Sequence, residues 1–299
     1  MPTIPLPRET LLHVVRTMPA APQILSRLGQ LTLDPGVALD DVVALLRCDP
    51  ALTARIIRVA NSPAYSAGSE YSSIEDALAR VGMSEVYRIA GFAALLQTTE
   101  QNLRLYGVTG AELRRNSLLT ALIMDALARA CGADAREAYS AGLLRSMGKI
   151  ALEGLTYTAG LLRSRSSIAL GGLPGGGSRS LAYHPQSGTP LAQWESELIG
   201  LTNCEAAEFI LGEWRFPGGI ASAIGQHYAP LQSPAPGLPC LLSLAAGAAD
   251  RLGHGLACER PYWEATPQKL RVAGVSEAQL GSACDEALRR FSNFEAVVG

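Results

Sequence analysis

Apolar residues recur at helical spacing along most of this chain. Between Thr10 and Leu33 they fall at Leu12, Val15 and Met18, then at Ile24, Leu25, Leu28 and Leu31, the three- and four-residue steps that line one helix face. Pro19 and Pro22 break the run, which predicts two helices, and Asp34-Pro35-Gly36 reads as the turn after them. Asp40 is placed to cap a helix through Val42, Val43, Leu45 and Leu46. Asp49-Pro50 repeats the start signal: Asp offers the N-cap oxygen, and Pro takes the first helical position, where a missing N–H costs nothing. That helix is predicted to bury Leu52, Ile56 and Val59, to turn Arg55 and Arg58 to other faces, and to end at Asn61-Ser62-Pro63.

The same grammar continues. Ser73-Ile74-Glu75-Asp76 has capping-box form and opens a short helix closed by Gly82. Ser84 is read as the next cap, with Val86, Ile89, Ala90, Leu95 and Leu96 inward. Thr109 precedes a long helix from about Ala111 to Ala130, and Asp134 starts one that runs into Ala138–Lys149. Later helices are expected at Pro190–Leu211 (a pair), Ile220–His227, Leu238–Leu252 and Glu277–Phe294, with Trp214-Arg215-Phe216-Pro217 as a stop. No hairpin dipeptide sits between alternating runs. The predicted class is all-α. Between Ser164 and Gly188 the pattern lapses, and Gly171–Ser180 reads as part of a flexible Gly/Ser-rich surface insertion.

Composition narrows the function classes. A net charge of −2 gives no basic face for phosphates, which argues against a nucleic-acid partner. Six cysteines without a C-x-x-C suit buried reduced thiols better than a disulfide frame or a zinc site. The N-terminus lacks the pattern of a signal peptide, and the most apolar stretch, Leu238–Ala249, is too short to span a bilayer. The expectation is a cytoplasmic protein without a membrane partner.

Four landmarks carry a resemblance. The first is Asp49-Pro50-Ala51-Leu52-Thr53-Ala54-Arg55-Ile56-Ile57-Arg58-Val59-Ala60-Asn61-Ser62, then Tyr65, Ser73-Ile74 and Val81-Gly82. The second is Ala141-Gly142-Leu143-Leu144 with Gly148-Lys149, and the third is Trp194-Glu195 with Glu197-Leu198-Ile199-Gly200. The fourth is Trp214-Arg215-Phe216-Pro217 with Ile224 and His227. Together, from Thr10 to Pro230, they resemble the HDOD family, the HD-related output domain of bacterial signalling proteins. The resemblance implies an N-terminal helical bundle (1–105) packed on a degenerate HD-type helical domain (106–299).

In the catalytic HD superfamily, the resemblance implies a metal held by histidines and aspartates. Here those positions fall at Asn116, at Arg145-Ser146 for the His-Asp doublet, at Asn203, at Gln226-His227 and at Asp250. An amide oxygen is a poor neutral ligand and a guanidinium keeps its proton, so no metal, no cofactor and no metal-dependent hydrolysis are expected. For Arg145 two fates stay open: it fills the vacated metal position and satisfies Asp250, or it ends a helix and points to solvent.

Other signals carry less. Ser146-Met147-Gly148-Lys149 fits S-x-x-K, but S-D-N and K-T-G are missing from the chain. The glycine run lacks the lysine and preceding strand of a phosphate loop. His13, His184, His227 and His254 show no ligand spacing. Asp49, Arg55, Arg58, Asn61, Tyr65 and Lys149 form a candidate interaction surface; for Arg55 and Asn61 the alternative is hydrogen bonding that ties a helix end to its neighbour. The reading is a stand-alone, non-enzymatic output module that binds a signalling partner protein in trans. The alternatives are a small-molecule or cyclic-dinucleotide sensor using the former cleft, and a residual phosphodiesterase. The segment from Leu231 to Gly299 is expected to complete the bundle or to form a homodimer contact.

Overall fold

The computed structural model describes residues 8–18, 21–31, 38–61, 71–158 and 182–298. Among these, fifteen α-helices and no strand are found. In chain order they are α1 (Arg8–Thr17), α2 (Ala21–Leu31), α3 (Leu39–Arg47), α4 (Pro50–Ala60), α5 (Ile74–Val81), α6 (Met83–Thr98), α7 (Gly110–Cys131) and α8 (Ala135–Leu144). They continue as α9 (Met147–Thr158), α10 (Leu191–Leu198), α11 (Asn203–Glu213), α12 (Gly218–Gln226), α13 (Gly237–Ala249), α14 (Pro267–Ala273) and α15 (Glu277–Val298). Tyr65 and residues 164–181 of the expected insertion lie outside the described residues; 182–188 hold a short 3₁₀ turn, Pro185–Ser187. No described helix is long and apolar enough to cross a membrane.

The caps explain most boundaries. The Asp49 side chain accepts from the Leu52 N–H at 3.0 Å, with Pro50 next to it. Thr109 and Glu112 close a reciprocal capping box on α7, and Asp134 accepts from the Arg136 and Glu137 N–H groups at 2.8 and 3.0 Å. Each such cap is worth about 1 kcal/mol. Two expected caps differ. Ala38, not Asp40, precedes α3, leaving Asp40 and Asp41 in the first turn, where carboxylates suit the positive helix end. α6 starts at Met83 directly from Gly82, whose φ of 85° closes α5 and leaves no room for Ser84 as a cap.

The predicted stripe of α4, Leu52, Ile56 and Val59, is buried. The main apolar cluster extends from Leu11 to Phe291, and a small second one joins Ala60, Tyr71 and Ala77. At the centre of the main cluster lies α7, buried on every side from Asn116 to Ala128 although the span includes Asn116, Thr120 and Asp125. α8, α13 and α15 pack on it. Close approach needs glycine at one place in particular: a Cβ on Gly142 would lie 2.6 Å from the Ala121 Cα, so α8 and α7 touch backbone to backbone. α2 is tied to the far half of the chain by Ser26 Oγ donating to the Arg215 carbonyl at 2.8 Å.

A second tie is electrostatic. The fully buried Asp125 on α7 accepts from Arg88 of α6 at 2.8 Å, from Arg129 at 3.0 Å and from Arg290 of α15 at 2.9 Å. Burial disfavours the charged Arg88, but Asp125 and Glu85 outweigh it and raise its pKa. Three helices are thereby joined through one carboxylate.

Candidate functional site

α8 stops at Leu144 and α9 resumes at Met147, so Arg145 and Ser146 form a two-residue joint. Arg145 is the C-cap of α8, where a cation complements the helix dipole. Its side chain does not reach solvent: it is 0% exposed, as are Lys149, in the first turn of α9, and Glu259. Glu259 sits on a 3₁₀ turn, Ala257–Tyr262, well beyond the Arg145 joint in sequence.

The three close on one another. Arg145 Nη1 and Nη2 donate to Glu259 Oε1 and Oε2 at 3.0 and 2.7 Å, a two-pronged pairing. Lys149 Nζ donates to the same Oε1, and Tyr228 OH adds a fourth bond at 2.8 Å. Burial by itself pushes the Glu259 carboxyl up, but Arg145 and then Lys149 overcome it and hold it far below the carboxylate range. The Arg145 guanidinium also donates to Asn116 Oδ1. Asn116 Nδ2 is spent on the His254 carbonyl at 2.7 Å.

Lys149 extends the network. It donates to the Tyr228 oxygen at 2.9 Å and to Asn203 Oδ1 at 3.2 Å. Asn203 Nδ2 donates in turn to both oxygens of Glu195, at 3.0 and 2.9 Å. Glu195 further accepts the Asn203 N–H at 2.8 Å and the Tyr106 hydroxyl at 2.8 Å. That N–H is one of the groups a helix start leaves unpaired, so the carboxylate doubles as a cap for α11. Burial raises the Glu195 pKa against the pull of Lys149, Asn203 and Tyr106. Two buried cations thus face two buried carboxylic groups, with amides and phenols between them.

The remaining positions fall as follows. His227 is fully buried; burial, aided by Arg145, drives its pKa down to about 3, so the ring is neutral. Its Nδ1 donates to the Ile224 carbonyl at 2.7 Å. Ser146 is buried and its hydroxyl meets no partner among the described residues. Gln226 turns to Ser222 of its own helix at 3.0 Å and does not join the network. Asp250 pairs with Arg260 at 3.3 Å. Arg145 does end a helix, but it does not point to solvent, and the acid it satisfies is Glu259 and not Asp250. The reason is geometric, since the chain after α13 winds back through a π turn at Asp250–His254 and inserts the 3₁₀ turn.

The expected surface residues separate. Asp49, Arg55, Arg58 and Asn61 lie on or at the ends of α4. Arg55 pairs with Glu100 at 2.8 Å, and Asn61 holds the Tyr71 N–H and carbonyl at 2.6 and 2.9 Å. Arg58 is exposed. Lys149 is not part of that surface, because its ammonium is spent inside on Glu259.

These residues do not fit a divalent ion. Among the described residues no three His, Cys, Asp or Glu side chains gather to hold one, and two full cations stand at the doublet and one turn on. A dication about 4 Å from either would be repelled by ~8 kcal/mol at an effective dielectric of 20.

Comparison with known proteins agrees with the architecture. The family model for the HDOD domain matches residues 18–156. A protein of Treponema pallidum (strain Nichols), called uncharacterized, is 26% identical over 138 residues, which are 44% of this chain and 26% of the relative. The matched stretch is thus about a quarter of that relative's length. Among solved structures, a "putative phosphohydrolase" from Shewanella amazonensis SB2B superposes with a TM-score of 0.65 at 23% identity, covering 96% of this chain and 97% of that one. An HDOD domain protein from Geobacter sulfurreducens gives 0.65 at 22%, covering 95% and 97%. A "putative signal transduction protein" from Marinobacter aquaeolei VT8 gives 0.66 at 20%, covering 97% of this chain and 64% of that one. At these identities the structures establish a shared fold.

Proposed function

On the footing that residues 18–156 are an HDOD domain, we propose that this chain is a non-catalytic output module of bacterial signal transduction, acting in the cytoplasm by binding a partner protein in trans. The observation that supports the reading is the Arg145–Glu259–Lys149 network: where the resemblance expects metal ligands, Arg145 is paired inside the protein with Glu259. Without an ion no bound water has its pKa lowered into the working range, and the cations that replace it are already satisfied. A signalling role also fits the family to which the matched segment belongs.

The test is direct. Purified protein is assayed with bis(p-nitrophenyl) phosphate and with cyclic dinucleotides in the presence of manganese, magnesium or ferrous iron, with and without chelator. No turnover above buffer is expected with any metal. Hydrolysis that disappears on chelation, together with a stoichiometric bound metal, would overturn the proposal. A pull-down from the native cell then identifies the partner.

A further inference from the structure

The Glu259 carboxylate is bound as a ligand is bound. Its donors come from three separate places: the end of α8 (Arg145), the first turn of α9 (Lys149) and the residue pair after α12 (Tyr228). Each donor is also held by something other than Glu259. Arg145 is fixed by Asn116, itself anchored on the His254 carbonyl, and its guanidinium carbon lies 5.5 Å from the centre of the Trp263 ring. Lys149 is steered by Asn203. The Tyr228 ring stacks on Tyr262 with centroids 4.1 Å apart and planes 14° from parallel. The pocket of donors is therefore positioned around the carboxylate, not created by it.

A guanidinium fork, an ammonium and a phenol converging on one point out of water make a strong donor set for an oxyanion. Glu259 arrives on an irregular stretch, a 3₁₀ turn that contains Pro261 and follows a π turn broken at Gly253 with φ 84°. We propose that Arg145, Lys149 and Tyr228 form an oxyanion site whose resident ligand is the chain's own Glu259, so that a chain lacking this carboxylate takes up a small carboxylate ion from solution. The inference concerns what the buried charges hold, and it stands or falls independently of catalysis and of any partner.

Glu259→Ala removes the atoms of an acetate ion, which makes acetate the matching probe. Thermal unfolding of full-length wild type and E259A is followed at pH 7 in acetate, chloride and pivalate at equal ionic strength. E259A is expected to melt below wild type and to recover saturably with acetate, by about 5 °C at a hundredfold excess over Kd. Chloride and the bulkier pivalate should not restore it, wild type should not respond, and E259A/R145M should lose the acetate response. If E259A does not fold in buffer, its refolding yield from urea in acetate against chloride is the readout. Equal refolding yields, or acetate effects the same in E259A and wild type, overturn the proposal.

Discussion

Lowering the pH from 7 to 5 should destabilise this protein through His227, by an amount the site allows us to work out. The ring lies against Tyr228 and Trp263, with centroids 4.3 and 5.7 Å away, and its Nε2 meets no hydrogen-bond partner among the described residues. Burial first, and the Arg145 charge second, set its pKa at about 3, against the opposing pull of Glu259. An unfolded histidine titrates near about 6.5. The folded state therefore refuses a proton that the unfolded state accepts, so this contribution is complete above about pH 6.5 and is lost as the pH falls towards 3. Between pH 7 and 5 the loss is about 1.9 kcal/mol. Urea unfolding at several pH values measures it, with His227→Phe as the reference that keeps an aromatic ring without the proton site. Glu195, whose raised pKa works in the opposite direction, is present in both proteins and cancels in the difference. A wild-type minus H227F difference that stays constant within about 0.5 kcal/mol from pH 7 to 5 would refute the reasoning, because His227 would then take up its proton while folded.

Further outcomes follow from other contacts. Arg145→Met strips the buried Glu259 of its two-pronged partner and should cost about 3–5 kcal/mol in urea unfolding; a loss under about 1 kcal/mol would mean that Lys149 alone balances the carboxylate. Asp125→Asn releases Arg88, Arg129 and Arg290. Because those arginines reach water, we expect a smaller loss of about 2–3 kcal/mol, with faster amide exchange in α15 as its local signature. Gly142→Ala should lose at least about 3 kcal/mol, since its Cβ meets the Ala121 backbone. Gly212→Ala, exposed on α11 with nothing within 4 Å of the new atom, should gain about 0.5–1 kcal/mol. Equal effects at the two glycines would contradict the backbone contact.

The helices were readable because their evidence is local. Asp49-Pro50, Thr109 and Asp134 each sit within three residues of the N–H groups they cap, and the α4 stripe repeats within one helix. Arg145-Ser146 and the amides at 116 and 203 were equally visible, as residues that the resemblance singled out. What sequence could not supply was the acid. Glu259 lies 114 residues from Arg145, on a turn too short for any periodicity, whereas Asp250 drew the expectation through the resemblance. Lys149 reads as a surface cation until Glu259, Asn203 and Tyr228 are seen around it. One signal was available: Glu259 stands in Leu256-Ala257-Cys258-Glu259, a carboxylate next to residues that favour the interior. The segment after Leu231 thus completes the helical assembly, supplying both Glu259 and the Arg290 that reaches Asp125.

Asn203 gives the network a direction. A carboxamide offers lone pairs at one end and protons at the other; the ammonium can approach only the first, the carboxylate only the second. Rotating that group by half a turn would set like against like on both sides. This side chain therefore works as a one-way coupling between the Lys149 ammonium and the Glu195 carboxylate, and aspartate in its place would put a second negative charge against Glu195.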